Sequence, residues 1–140
     1  MKLQPRQSLI VYAKDKKRLS AFYRQTLDLE LSEEQPTHDL LRGRGIEILV
    51  HAIPQEFAAS IDIATPPLPR EETPFKPVFE VADLGVVRRL ALATGGFLLP
   101  LEKAWSYGGA TILDGWDPEG NVVQFRCHAE IRRDRVGGAS

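Results

Sequence analysis

Two periodicities alternate along the chain. Leu9, Val11 and Ala13 recur at every second position, which makes one apolar face of a β-strand. Beyond Asp15, Leu19, Phe22, Tyr23 and Leu27 fall at i, i+3, i+4 and i+8, the spacing of one helix face. The same succession returns at Pro77-Val78-Phe79-Glu80-Val81-Ala82-Asp83, followed by Val87, Leu90, Ala91 and Thr94 at nearly matching places. Asp15 and Asp83 stand where N-caps belong, because a carboxylate accepts the free N–H groups of a first helical turn. Gly95-Gly96 closes the second helix, and Asp28 holds the equivalent place in the first. Strand-like segments follow each helix. The first set is 29–31, 38–42 and 46–53, the second 97–101, 110–113 and 122–127. The chain therefore reads as α+β, a duplicated β-α-β-β-β pattern, with modules at 8–64 and 78–128. Between them, 65–77 holds five of the ten prolines. Proline fixes φ and cannot donate to a ladder, so this stretch is an extended linker. Residues 131–140 read as a flexible tail.

Composition narrows the class. At 140 residues the chain makes one domain of ordinary size. Lys plus Arg total 18 against 19 Asp plus Glu, a net charge of −1. Nucleic-acid binding by a basic surface is therefore not expected. Nor is a membrane expected, since no apolar run approaches the ~18 residues of a span. The opening residues lack the apolar stretch of a signal peptide. The single cysteine, Cys127, has no internal partner and suits a reducing cytoplasm. The basic run Lys14-Asp15-Lys16-Lys17-Arg18 opens a helix with an apolar face and reads as a solvated surface. There is no phosphate-binding G-x-x-x-x-G-K-S/T loop and no G-x-S-x-G elbow.

The sharpest motif is Asp117-Pro118-Glu119-Gly120-Asn121-Val122-Val123-Gln124-Phe125, a tight turn feeding an alternating strand. It resembles the D-P-D/E-G-N-x-x-E-L signature of the vicinal oxygen chelate superfamily, which includes glyoxalase I, bleomycin-resistance proteins and extradiol dioxygenases. Val11 to Leu31, with Asp15, Phe22-Tyr23 and Leu27-Asp28-Leu29, resembles the opening of the same family, Asp28 standing where Gly is usual. The resemblance spans residues 8–127. It implies two βαβββ modules whose mixed sheets form a cup-shaped groove (a glyoxalase-like fold), commonly in a homodimer.

In metal-dependent relatives four strands supply ligands, and the resemblance maps those positions to Ser8, Leu49, Lys76 and Gln124. A divalent ion wants imidazole, carboxylate or thiolate donors. Leu49 has none, Lys76 is a cation, and Ser8 and Gln124 are neutral. No metal and no other cofactor is expected. A rearranged site would draw on His51, Glu80, Glu47 and Gln124. Glu47 and His51, four residues apart on one strand, are separated by ~13 Å and cannot grip one ion together. His38 reads as an exposed strand start, and His128 as a surface residue beyond the last strand. Cys127 and His128, as strand neighbours, point to opposite faces and form no catalytic pair.

If Ser8 and Gln124 mark the groove, alternation adds Ile10 and Tyr12, Val78 and Glu80, Val122 and Arg126, and Glu47, Leu49 and His51. Leu9, Val11, Ala13, Phe79, Val81, Val123 and Phe125 then face the helices. Arg126 either grips a carboxylate ligand or pairs with Glu47 or Glu80. Trp105 and Tyr107, in a glycine-flanked loop, serve as a lid or as an anchor, and Trp116 has the same two readings. The expected binding groove is thus Tyr12, Glu47, His51, Glu80, Trp105, Tyr107, Gln124 and Arg126, aliphatic with a few polar groups, as small-molecule sites are. The function expected is binding of a small organic molecule without metal. The alternative is a metal-dependent lyase, isomerase or dioxygenase, and whether the chain is an enzyme stays open.

Overall fold

A computed structural model describes residues 6–128. The first half runs β1 (Gln7–Ala13), α1 (Lys16–Thr26), β2 (Glu30–Glu34), β3 (His38–Gly43) and β4 (Ile46–Ala52). A short helix, α2 (Gln55–Ala58), leads into the linker. The second half runs β5 (Val78–Glu80), α3 (Leu84–Ala93), β6 (Phe97–Leu98), a 3₁₀ turn (Leu101–Lys103), β7 (Trp105–Tyr107), β8 (Ala110–Trp116) and β9 (Val122–His128). Two sheets result, in the orders β1-β4-β3-β2 and β5-β9-β8-β6, with β7 added along β8. In each, the strand before the helix pairs in parallel with the last strand of its half. The offset that carries Asp15 onto Asp83 also carries Ile10 onto Val78. Their ladder partners are Leu49 and Gln124, so these two are structural counterparts.

The helices begin and end as their residues dictate. The Asp15 carboxylate accepts from the Arg18 N–H and the Asp83 carboxylate from the Val86 N–H, both at 3.1 Å. Beyond the helices, Asp28 at φ 53° and Gly95 at φ 91° turn the chain in the left-handed region. Asp tolerates this conformation better than most residues, so the missing glycine at 28 is accommodated. Leu19, Phe22, Tyr23 and Leu27 are all buried, and one core joins them to Phe79, Val81, Val87, Leu113, Val123 and Phe125 of the other half. Among the described residues the two sheets share no ladder, and the halves meet through helices and turns. No helix among the described residues is long and apolar enough to cross a membrane.

Four local readings need correction, the first being the strand expected over 97–101, which stops at Leu98 ahead of the 3₁₀ turn Leu101–Lys103. Trp105 to Tyr107 is a strand, not a loop, because Gly108 and Gly109, both at positive φ, fold it back onto β8 as a hairpin. His128 is the last residue of β9, not a residue beyond it. The strand predicted over 29–31 runs instead from Glu30 to Glu34, through an irregularity in register at Leu31/Glu33. The linker is tied to the second half: the Trp116 indole donates to the Pro67 carbonyl at 3.0 Å and the Arg70 N–H to the Gly120 carbonyl at 2.9 Å. The tail at 131–140 lies outside the described residues.

Candidate ligand-binding groove

The D-P-E-G-N turn joins the halves. The buried Asp117 carboxylate takes four donors: the N–H groups of Glu119 and Asn121, the Asn121 amide, and the Tyr23 hydroxyl of the other half at 2.7 Å. Glu119, also buried, accepts the N–H groups of Lys14 and Asp15 at 2.9 and 2.8 Å. Burial raises the Asp117 pKa above the usual carboxylate value, while hydrogen bonds from Tyr23, Asn121 and the backbone pull it back. Burial first, then the Asp117 charge, holds the Tyr23 phenol well above its usual range, so it remains a donor. The motif that carries the resemblance is therefore structural, and the chemistry must be sought on the outer sheet faces.

The outer face of the first sheet consists of three transverse rows set by its register: Ser8-Glu47-Arg42, Ile10-Leu49-Leu40 and Tyr12-His51-His38. The first row is closed on itself. Glu47 accepts from Arg42 at 2.8 Å and from Ser8 at 3.4 Å, with Arg6 at 3.5 Å. The Arg42 hydrogen bond is the main cause lowering the Glu47 pKa. The third row is a shelf of rings: Tyr12 and His51 lie 5.9 Å apart, and His38 stacks on His51 at 6.3 Å. His51 Nδ1 lies 2.9 Å from the Ala52 carbonyl. Ile10 is 54% and Tyr12 63% exposed, large values for apolar side chains in a strand.

The outer face of the second sheet carries Val78, Glu80, Gln124, Arg126, His128, Asp114, Ile112, Trp105 and Tyr107. Lys76 Nζ donates to Asp114 at 2.9 Å, Gln124 Nε2 donates to Asp114 at 3.1 Å, and Arg126 Nε donates to Gln124 Oε1 at 2.8 Å. Glu80 pairs with His128 at 3.0 Å.

These contacts place the eight expected groove residues on two separate sheets. Tyr12, Glu47 and His51 share the first; Glu80, Trp105, Tyr107, Gln124 and Arg126 share the second. His51 and Glu80 lie on different sheets, and each has a partner on its own. Arg126 pairs with neither Glu47 nor Glu80: Arg42 holds the former and His128 the latter. Trp116 is an anchor, stacked on Phe97 at 4.7 Å. Asp114 stands on the same outer face, bonded to Lys76 and Gln124, and sequence reasoning missed it. Counting outward from the D-P-E-G-N turn pairs Trp116 with Val122 and then Asp114 with Gln124, and that count was the available signal. Elsewhere, a cavity of about 250 Å³ lies at the junction of the halves beside Arg44 and Val78, and one of about 500 Å³ beside the start of α1.

The positions mapped to metal ligands do not fit an ion. Lys76 brings an ammonium to Asp114, the nearby carboxylate, and the Gln124 carbonyl is turned to Arg126. Among the described residues no three His, Cys, Asp or Glu side chains converge to hold one.

No family model and no curated protein matches the chain. Solved structures do. A glyoxalase/bleomycin resistance protein/dioxygenase family enzyme from Burkholderia phytofirmans PsJN is 19% identical, over 86% of this chain and 96% of that one, with a TM-score of 0.62. TioX from Micromonospora sp. ML1 is 16% identical over 88% and 98%, at 0.60. The bleomycin resistance determinant encoded on the transposon Tn5 is 15% identical over 90% and 99%, at 0.59. The chain thus has the vicinal oxygen chelate fold, and a fold hosts many functions.

Proposed function

From the vicinal oxygen chelate fold as premise, we propose that this protein binds a small, partly apolar organic molecule, without metal, in a groove closed by a second copy of the chain. One observation carries the reading: apolar and aromatic side chains line outer sheet faces that no other part of the described chain covers. Ile10, Tyr12, Val78, Trp105 and Tyr107 are all exposed there. A monomer seldom leaves so many large apolar groups on regular strands open to water. Facing the first sheet of one copy to the second sheet of its partner would bring the aromatic shelf opposite the Lys76–Arg126 relay. The donor set supports the metal-free reading, since Lys76 repels a cation and Leu49 offers nothing to one. The groove serves sequestration or sensing of its ligand, in a reducing cytoplasm suited to a lone buried thiol.

The test has two parts. Sedimentation velocity should give a dimer, and elemental analysis after incubation with Zn²⁺, Ni²⁺, Mn²⁺ or Fe²⁺ and desalting should give far less than one ion per chain. Near-stoichiometric retention overturns the metal-free reading and directs attention to lyase, isomerase and dioxygenase assays. A monomer overturns the closed groove.

A further inference from the structure

Among the described residues, Arg126 on the outer face of the second sheet makes no ion pair. Glu80 stands directly opposite it in the ladder, yet pairs with His128. Asp114 is held by Lys76 and by Gln124. The one protein contact of the guanidinium among the described residues is from Nε to Gln124 Oε1, a neutral acceptor. That contact fixes the plane of the group. Asp114 can only accept, so it takes the Gln124 amide N–H and turns the amide oxygen to Arg126. Gln124 is 7% exposed, so this orientation is set inside the fold and not by solvent. With Nε occupied, the terminal N–H groups form a free edge whose geometry matches a carboxylate's two oxygens.

The row continues away from Arg126 through Ile112 to Trp105. Ile112 lies outside the main core, yet is only 2% exposed. Trp105 beyond it is 43% exposed. Along one line the surface thus offers a pre-oriented guanidinium and an open indole, with the buried Ile112 between them. We infer that Arg126 is the specificity-determining residue of the groove, and that the ligand is a small carboxylate with a planar apolar body, its carboxylate on Arg126 and its ring on the exposed indole of Trp105. This rests on the binding function proposed above and specifies its ligand class.

The test is calorimetric titration of the full chain with 2-naphthoate and with the neutral 2-naphthamide. The wild type should bind the acid at least about ten-fold tighter than the amide, as expected of one bidentate charge-assisted contact. Arg126→Gln should remove that preference while amide binding persists. Arg126→Lys, which keeps the charge and loses the fork, should fall between. Lys17→Gln, on the exposed side of α1, should leave the preference intact. Equal binding of acid and amide by the wild type, a preference that survives Arg126→Gln, or equal loss in Lys17→Gln overturns the assignment. So does failure of both probes to bind; the oligomer and metal measurements decide the broader reading independently.

Discussion

The two halves close their last hairpin in different ways. In the first, Arg44 and Gly45, at φ 55° and 79°, make a two-residue turn between the paired Gly43 and Ile46. Positive φ at both central positions matches the twist of the strands, so the backbone solves that turn by itself. In the second, Asp117 to Asn121 makes a longer turn filled with polar side chains, two of which bond to the other half. The first turn also reaches across, but only by the Arg44 guanidinium to the Glu80 carbonyl at 2.9 Å, an exposed contact. Duplicated topology has thus left one turn as a connector and made the other the joint of the molecule. The outer sheet faces depend on that joint, because it holds the second sheet against α1.

The largest effect should follow loss of the Asp117 carboxylate. Asp117→Ala leaves the Tyr23 hydroxyl, two backbone N–H groups and the Asn121 amide without their acceptor. At 1–3 kcal/mol for each buried group left unpaired, and with water recovering part, unfolding should cost about 4 kcal/mol less. Urea denaturation measures it; a change under about 1 kcal/mol would mean that the turn is not the joint. The glycines offer a cleaner contrast, since Gly120 and Gly45 have similar φ, 85° and 79°. A Cβ at Gly45 meets nothing within 4 Å, whereas one at Gly120 collides with the Leu68 carbonyl. Gly45→Ala should lose only the backbone preference, about 1 kcal/mol. Gly120→Ala should lose about 3 kcal/mol, because the linker must also move. Equal losses would show that the linker yields freely.

How much of this was legible follows from range. The helices, their caps and the inward set from Leu9 to Phe125 were legible because each rests on local periodicity or on one residue's conformational preference. The outer set was legible for the same reason: alternation places Tyr12, His51, Gln124 and Arg126 once the inward residues are known. What escaped is pairing between elements. Nothing local says that Tyr23 meets Asp117, that Glu80 prefers His128 to Arg126, or that Asp114 orients Gln124. Such choices among polar partners depend on register and on distances between sheets. Trp105 to Tyr107 escaped for another reason. Three residues ahead of a glycine pair carry too little pattern to tell a strand from a loop, and pairing with β8 decides it.

Smaller effects should separate the two cross-contacts. Tyr23→Phe removes one buried hydroxyl and leaves Asp117 with three donors, for a loss of about 1.5 kcal/mol. Arg44→Ala removes an exposed contact and should stay within about 0.5 kcal/mol. If the two losses are equal, the distinction between joint and connector fails.

The subtlest contrast is in pH. Burial raises the folded-state pKa of Asp117, so its titration contributes stability that is complete below the ordinary carboxylate value and is lost as pH rises through the raised one. Glu47, in the first half, runs the other way. Arg42 lowers its pKa, so its contribution is present above the ordinary value and is lost as pH falls through the lowered one. Glu47 is half-buried at the sheet surface, and solvent screens its effect. Unfolding free energies of the wild type and Asp117→Asn, measured from pH 3 to 7, isolate the buried group. As pH falls through the window just above the ordinary carboxylate value, the wild type should gain on the variant, since only it can take up the proton. Movement in the opposite sense would mean that the four donors to Asp117 outweigh its burial, and that the joint is held by a carboxylate that resists acid.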